Sequence, residues 1–360
     1  MDFEVRYSWP NKMLHRIGFA SGGIQVALAD VEERLFASEL GRIAVDAPVF
    51  VTALPRAGTT ILLNLLVQSG RFASHTYRDL PFVLCPLLWF RLTAPFQTRE
   101  KPRERAHGDG LLVSVDSPEA FEEMVWRHFW PAHYRSDRID TWQSCDDPEF
   151  MEFMRSHIKR VILLRKTEPH QELRYVSKNN LNVSRLDCLT SVFPDARIIV
   201  PFREPVQHAA SLLRQHLAFL EAHRADNFAR AYMEGIGHYD FGLNLRPVDF
   251  DSWLGDADRR SEAEQLSFWI EYWVAAYEYV LDRASSGIHL LSYRQLTERP
   301  AEALERIAAA VDVGDDSVLT DQVEELRLPR DHNVDLAGID AALLDRARQV
   351  FAELDRCSET

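Results

Sequence analysis

The sequence Pro55-Arg56-Ala57-Gly58-Thr59-Thr60 is built to hold an anion. Glycine lets the backbone approach a ligand closely, and a helix starting at the threonines presents N–H groups that have no intrahelical partner. The two hydroxyls add further donors, and Arg56 adds a permanent cation with a planar fork of N–H groups. A second pair lies far downstream, where Arg203 closes an apolar run and Ser211 follows eight residues later, about two helical turns on. Lys178 stands between these two groups in the sequence.

The elements that must carry these residues are legible from periodicity. Val49, Phe50, Val51, Ala53 and Leu54 form an apolar run of buried-strand type, and Ile61, Leu62, Leu65 and Leu66 recur at helical spacing. The pattern is strand, tight loop, helix. Further strands are expected at Phe72–Tyr77, Leu173–Ser177, Ala196–Phe202 and Ile288–Ser292, with Pro201 near a strand end where a missing donor is tolerable. Helices are expected at Phe150–Leu164, through Leu186, Leu189 and Val192, from Pro205 through Leu213, and at Glu262–Ser285, Pro300–Val311 and Ile339–Leu354. Ser117-Pro118-Glu119-Ala120 reads as a helix start, with Ser at the cap and Pro at the first position. Thr98–Gly110 and Tyr232–Gly255 read as loops suited to an acceptor. Strands alternating with helices imply an α/β fold whose mostly parallel sheet is covered on both faces. We expect one domain over 1–360, with a helical cover at 1–46, a core at 47–311 and a C-terminal helical extension at 312–360. In the cover, Ile24, Ala27, Leu28, Val31, Leu35 and Leu40 suit an amphipathic helix lying on the body.

Composition sets bounds. A chain of 360 residues with 46% hydrophobic content can bury a large core, and a net charge of −14 provides no global field for nucleic acid. Any anion site must be local. Cys85, Cys145, Cys188 and Cys357 show neither C-x-x-C spacing nor a nearby histidine pattern, so reduced thiols and no metal site are expected. The longest apolar stretch, Leu80–Phe90, is broken by Pro81 and Pro86 and is too short to span a bilayer, so a cytoplasmic location is the default expectation.

The nucleotide loop G-x-x-x-x-G-K-[ST] differs from this one, because Ala53 occupies its first glycine position and Thr59 its lysine. The loop instead resembles that of sulfotransferases using 3′-phosphoadenosine 5′-phosphosulfate (PAPS), typically P-[KR]-[SA]-G-T-T. In those enzymes a strand-ending Arg and a Ser eight residues later bind the donor's 3′-phosphate. Here the matching stretch runs from Phe193-Pro194 through Arg203-Glu204-Pro205 to Ser211. Leu291-Ser292-Tyr293-Arg294-Gln295-Leu296 is similar to the family's Y-E-x-L segment, with Arg294 in place of the acid. The resemblance spans about Val49 to Val311 and is closest to the branch holding tyrosylprotein and many bacterial sulfotransferases. It implies a P-loop-containing three-layer fold and a donor site made by Arg56, Ala57, Gly58, Thr59, Thr60, Arg203 and Ser211. It also implies a transition-state role for Lys178, although Asn179-Asn180 departs from the branch's K-[TD]-P.

Transfer to a hydroxyl of a small molecule, glycan or lipid needs a base within hydrogen-bond reach. Asp79 is the first candidate, at the position where the branch carries a Glu. His107 is the next, and His75 and the pair Glu122/Glu123 stay open. No metal is required in principle. Two other readings compete. A P-loop kinase or NTPase would need a Lys where Thr59 stands, and an inactive PAPS-fold binding protein would have lost its base. The acceptor and the oligomeric state are not legible.

Overall fold

The computed structural model describes residues 8–96, 103–104, 112–113, 116–285, 287–314, 317–320 and 333–359. Its centre is a five-stranded sheet. In chain order the strands are β1 (Val49–Val51), β2 (Phe72–Ala73), β3 (Arg174–Lys178), β4 (Arg197–Phe202) and β5 (Ile288–Ser292), arranged spatially as β2-β3-β1-β4-β5. Every neighbouring pair is parallel. Val49, Phe50 and Val51 are fully buried, as a central strand covered on both faces must be. Register decides what gathers at one edge, since Val51 pairs with Lys178 on one side and Ile199 on the other. The carboxyl ends of β1, β3 and β4 therefore open together, and chain order diverges to either side of β1. Ligands bind at such a switch point in open α/β sheets.

Helices cover both faces. On one side, α3 (Thr59–Gln68) places Leu62, Leu63, Leu65 and Leu66 against Val49, Val51, Val176 and Ile199. The other face holds a larger cluster, including Phe50, Ile198 and Val200 with Trp126, Trp142, Trp269 and Trp273. Pro201 is accommodated inside β4, paired with Leu291, and its carbonyl accepts from the Tyr277 hydroxyl at 2.9 Å.

The N-terminal cover carries α1 (Trp9–Ala20), α2 (Gly22–Leu35) and a short helical turn at Ala37–Leu40, and its buried face differs from the expected one. Ile24, Val31 and Leu35 are exposed, whereas Gln25, Ala29 and Glu32 are buried. Polar atoms are drawn in because they satisfy backbone groups of the proline-rich segment below. Gln25 donates to the Gly18 and Pro81 carbonyls and accepts from Leu84 N, while Glu32 accepts from Leu88 N at 2.7 Å. Periodicity locates an apolar stripe but does not report these demands.

Three further expectations are corrected. Residues 117–122 are not helical: Pro118 bridges Thr76 in antiparallel fashion, and the helix begins at Glu123 and ends at Phe129. Within Thr98–Gly110, Arg103–Glu104 pairs with Leu112–Val113, and the rest of that stretch lies outside the described residues. Cys145 and Cys188, expected as reduced thiols, form a disulfide with Cα atoms 5.3 Å apart, while Cys85 is a buried free thiol. The sequence separation of 43 hides a proximity that the tertiary fold creates, where Trp142 N donates to the Ser184 carbonyl at 3.0 Å. Among the described residues no helix is long and apolar enough to cross a membrane.

Candidate active site

The loop after β1 takes the conformation an anion cradle requires. Gly58, the N-cap of α3, is left-handed at φ 96°, and Arg56 is held at φ 71°. A side chain at Gly58 would be strained by that φ and would meet the Tyr293 ring, since a Cβ there lies 3.0 Å from Cε2. Beneath the loop His208, fully buried, acts as a strut. Its Nε2 contacts the Pro55 carbonyl at 2.7 Å, and its Nδ1 accepts from Trp273 Nε1 at 3.2 Å. That second bond fixes the tautomer, with the proton on Nε2. Burial first, then the Arg203 and Arg56 charges, hold its pKa down to about 3.

Three separate segments meet here. Arg56 Nε donates to Ser211 Oγ at 3.5 Å, and Arg203 Nη1 donates to the Arg56 carbonyl at 3.1 Å. Arg203 leaves the end of β4 and lies over the Tyr293 ring, 4.9 Å from its centroid. Ser211 sits on the helix Pro205–Ala225, whose N-cap Glu204 accepts from Gln207 N at 2.7 Å. Glu204 thus acts as a helix cap. The Tyr293 hydroxyl is buried with no hydrogen-bond partner among the described residues, beside the same loop. An oriented set of donors around an orphaned hydroxyl fits a polyanionic ligand.

On the other flank of β1, Lys178 ends β3 and its Nζ lies 3.6 Å from Glu119 Oε1. Asn180 then links the strand end to the loop. It accepts from Thr59 Oγ1 at 3.4 Å and donates to Asp240 Oδ2 at 3.4 Å, while its carbonyl accepts from Thr52 Oγ1 at 3.2 Å. His238 Nε2 stands 3.6 Å from the same Asp240 oxygen. The departure at Asn179-Asn180 thus has a structural use, because an amide can bridge a hydroxyl and a carboxylate at once.

Of the candidate bases, four are sealed inside structural networks. Asp79 is 2% exposed and accepts from Thr76 N at 3.0 Å, from His75 Nδ1 at 3.2 Å and from Arg165. Burial alone would raise its pKa, but Arg165 and His75 outweigh that and hold it at about 2. A carboxylate so closed and so weakly basic is an anchor, which corrects the expectation that Asp79 takes a proton. His75 Nε2 meets His157 Nε2 at 3.0 Å and is spent in the same network. Glu122 accepts from Trp126, Tyr175 and Asn182. Glu123 accepts from Asn179, Arg185 and Tyr134, and burial pushes its pKa up despite Arg185. His107 lies outside the described residues.

Replacing Asp79 by Ala leaves His75 without its carboxylate and Arg165 with only the Ser74 carbonyl and Thr76 Oγ1, and breaking one partner of a buried pair costs about 3–5 kcal/mol. Urea unfolding monitored by tryptophan fluorescence should show a loss of that order. A loss under about 1 kcal/mol would mean that the network is not what holds this corner.

Sequence reasoning missed Glu119, His208, Asp240 and the bridging role of Asn180. Glu119 falls in the expected helix start, and Asp240 and His238 lie in an aperiodic stretch. Only adjacency to a motif residue could have pointed to them, and that holds for Asn180 alone. Among the described residues no three His, Cys, Asp or Glu are grouped so as to hold a metal ion.

Residues 48–243, just over half of the chain, match the Sulfotransferase family. Among solved structures, sulfotransferase STF9 from Mycobacterium avium aligns at 18% identity and TM-score 0.47, over 91% of this chain and 81% of that one. Sulfotransferase STF1 from Mycobacterium tuberculosis H37Rv aligns at 16% identity and TM-score 0.46, with the same coverages of 91% and 81%. A sulfotransferase from Alicyclobacillus acidocaldarius aligns at 12% identity and TM-score 0.38, over 88% and 95%. No curated protein matches the chain in sequence at a significant level. With its anion loop, Arg203 and Ser211 all inside the matched region, the chain belongs to the sulfotransferase family and is an enzyme of the transferase class.

Proposed function

We propose that the protein moves a sulfuryl group from PAPS to a hydroxyl of a carbohydrate, lipid or secondary metabolite. The supporting observation is the meeting of Arg56, Arg203 and Ser211 around a left-handed Gly58 at the head of α3. PAPS carries two phosphate-bearing ends, and this edge offers two donor groups to match. The loop with Arg56, Ala57, Thr59 and Thr60 suits the 5′-phosphosulfate, and Arg203 with Ser211 suits the 3′-phosphate. Tyr293 closes over Gly58 and offers its hydroxyl to the same ligand.

In-line transfer makes little covalent demand on the protein, so positioning and charge stabilisation supply most of the rate. As the S–O bond to the 5′-phosphate breaks, negative charge develops on the bridging oxygen. Arg56 meets that charge electrostatically, because a guanidinium is a poor proton donor. Lys178, at the adjacent strand end, faces the same reaction from the other side of β1.

Calorimetric titration with 3′-phosphoadenosine 5′-phosphate (PAP), without added magnesium and with ATP–magnesium as control, tests the donor site. Wild type should bind PAP, and Arg203→Ala should weaken binding by about 10- to 100-fold, the loss of one or more charge-assisted hydrogen bonds. No PAP binding by wild type, or a preference for ATP–magnesium, would return the loop to nucleotide triphosphate chemistry.

A further inference from the structure

With Asp79, His75, Glu122 and Glu123 spent in structural networks, the described carboxylate that stands against the cation of the site is Glu119. Residues 117–120 run extended along the strip that follows β2. Pro118 bridges Thr76, and Glu119 N donates to the His75 carbonyl at 3.1 Å. The Glu119 side chain, 11% exposed, is aimed toward the end of β3, where Oε1 lies 3.6 Å from Lys178 Nζ. Its Oε2 accepts from the Tyr77 hydroxyl at 3.0 Å, and Oε1 also accepts from Ala120 N at 2.9 Å. The buried Asp79–His75 network therefore holds the backbone that carries Glu119. Lys178 in turn is two residues from Asn180, which contacts Thr59 of the anion loop.

We propose that Glu119 is the general base of the transfer, an assignment that rests on the sulfotransferase reading above. The acceptor oxygen forms a new bond to sulfur while the S–O bond to the 5′-phosphate breaks and its electron pair leaves with PAP. The proton of the acceptor hydroxyl passes to a Glu119 carboxylate oxygen. Lys178, between base and loop, meets the charge that develops on the transferred group. Proton uptake and charge stabilisation thus fall on neighbouring groups, fixed by one strand end and one backbone bridge. Asp240 is the competing carboxylate, and its Oδ2 lies against Asn180 and His238, whereas Glu119 lies against the Lys178 ammonium.

The test uses the full chain and the variants Glu119→Gln, Glu119→Asp and Asp240→Asn. PAP affinity is measured by calorimetry, thermal stability by scanning fluorimetry, and turnover by PAP release from PAPS with 2-naphthol as the probe acceptor. Glu119→Gln should lower kcat about 100-fold or more, the scale of general-base catalysis, with the Kd for PAP within twofold of wild type. Glu119→Asp, which keeps the carboxylate but shortens its reach, should fall between the two. Turnover by Glu119→Gln within threefold of wild type would overturn the assignment, as would a larger loss in Asp240→Asn. Parallel losses of turnover, PAP affinity and melting temperature in Glu119→Gln would make Glu119 a strut and also overturn it. Failure of the sulfotransferase reading itself would show separately, as a wild type that does not bind PAP.

Discussion

Lowering the pH from 7.5 to 5.5 should lower this protein's folding stability, because four buried histidines contribute a loss of about 3 kcal/mol against a smaller opposing gain at Glu32 and Glu123, whose pKa values burial raises. His15, His208, His216 and His223 are 8%, 0%, 3% and 1% exposed. Burial, reinforced for the last three by neighbouring positive groups, holds His208 down to about 3 and the other three to about 4. A histidine whose pKa is depressed in the fold binds its proton more readily when unfolded, so stability rises with pH. The contribution is complete above the unfolded value of about 6.5 and is lost as pH falls from there toward about 4. One unit below that value each such histidine costs about 1.4 kcal/mol, so four cost between 5 and 6, and halving for relaxation and solvent screening leaves about 3. Urea unfolding at pH 7.5, 6.5 and 5.5 checks this, and a flat or rising stability across that interval would overturn it.

The same protonation has a local consequence. His216 Nδ1 accepts from Gly242 N and His223 Nδ1 accepts from Leu243 N, both at 3.2 Å. An imidazolium has no lone pair to offer, so acid would remove both acceptors from the segment that follows Asp240. Gly242 fits there only because it lacks a side chain, since a Cβ would lie 2.7 Å from His223 Nδ1. The flank of the site carrying His238 and Asp240 is therefore expected to loosen before the sheet does.

Lys178→Ala should reduce turnover by about 10²- to 10³-fold, the usual effect of deleting a preorganised group that meets transition-state charge. Lys178 is 9% exposed, is held at the end of β3 by its register with Val51, and lies 3.6 Å from Glu119. Its position beside the loop, apart from the contacts joining Arg56, Arg203 and Ser211, predicts that PAP affinity changes by no more than about threefold. That separation of kcat from donor binding is the signature of an interaction made chiefly in the transition state. A fall in PAP affinity as large as the fall in turnover would instead make Lys178 a donor-binding residue.

The amino-acid sequence by itself determined the elements and the anion chemistry. Local signals were strong where they had a physical cause confined to a few residues. Apolar runs became β1, β3, β4 and β5 close to their expected bounds, Pro205 opened a helix, and Gly58 marked a left-handed turn. The pairing of a loop at Arg56 with Arg203 and Ser211 came from the resemblance to PAPS-dependent sulfotransferases, and the ends of β1 and β4 bring these residues into contact. Only the tertiary structure decided which carboxylates are locked in buried networks. Asp79 and Glu119 look alike in sequence, and burial with Arg165 makes one an anchor, whereas a backbone bridge to Thr76 carries the other to Lys178. The disulfide and the inward turn of Gln25 and Glu32 were hidden for the same reason. A side chain's charge state, partners and exposure are set by residues distant in sequence, and spacing along the chain carries no record of them.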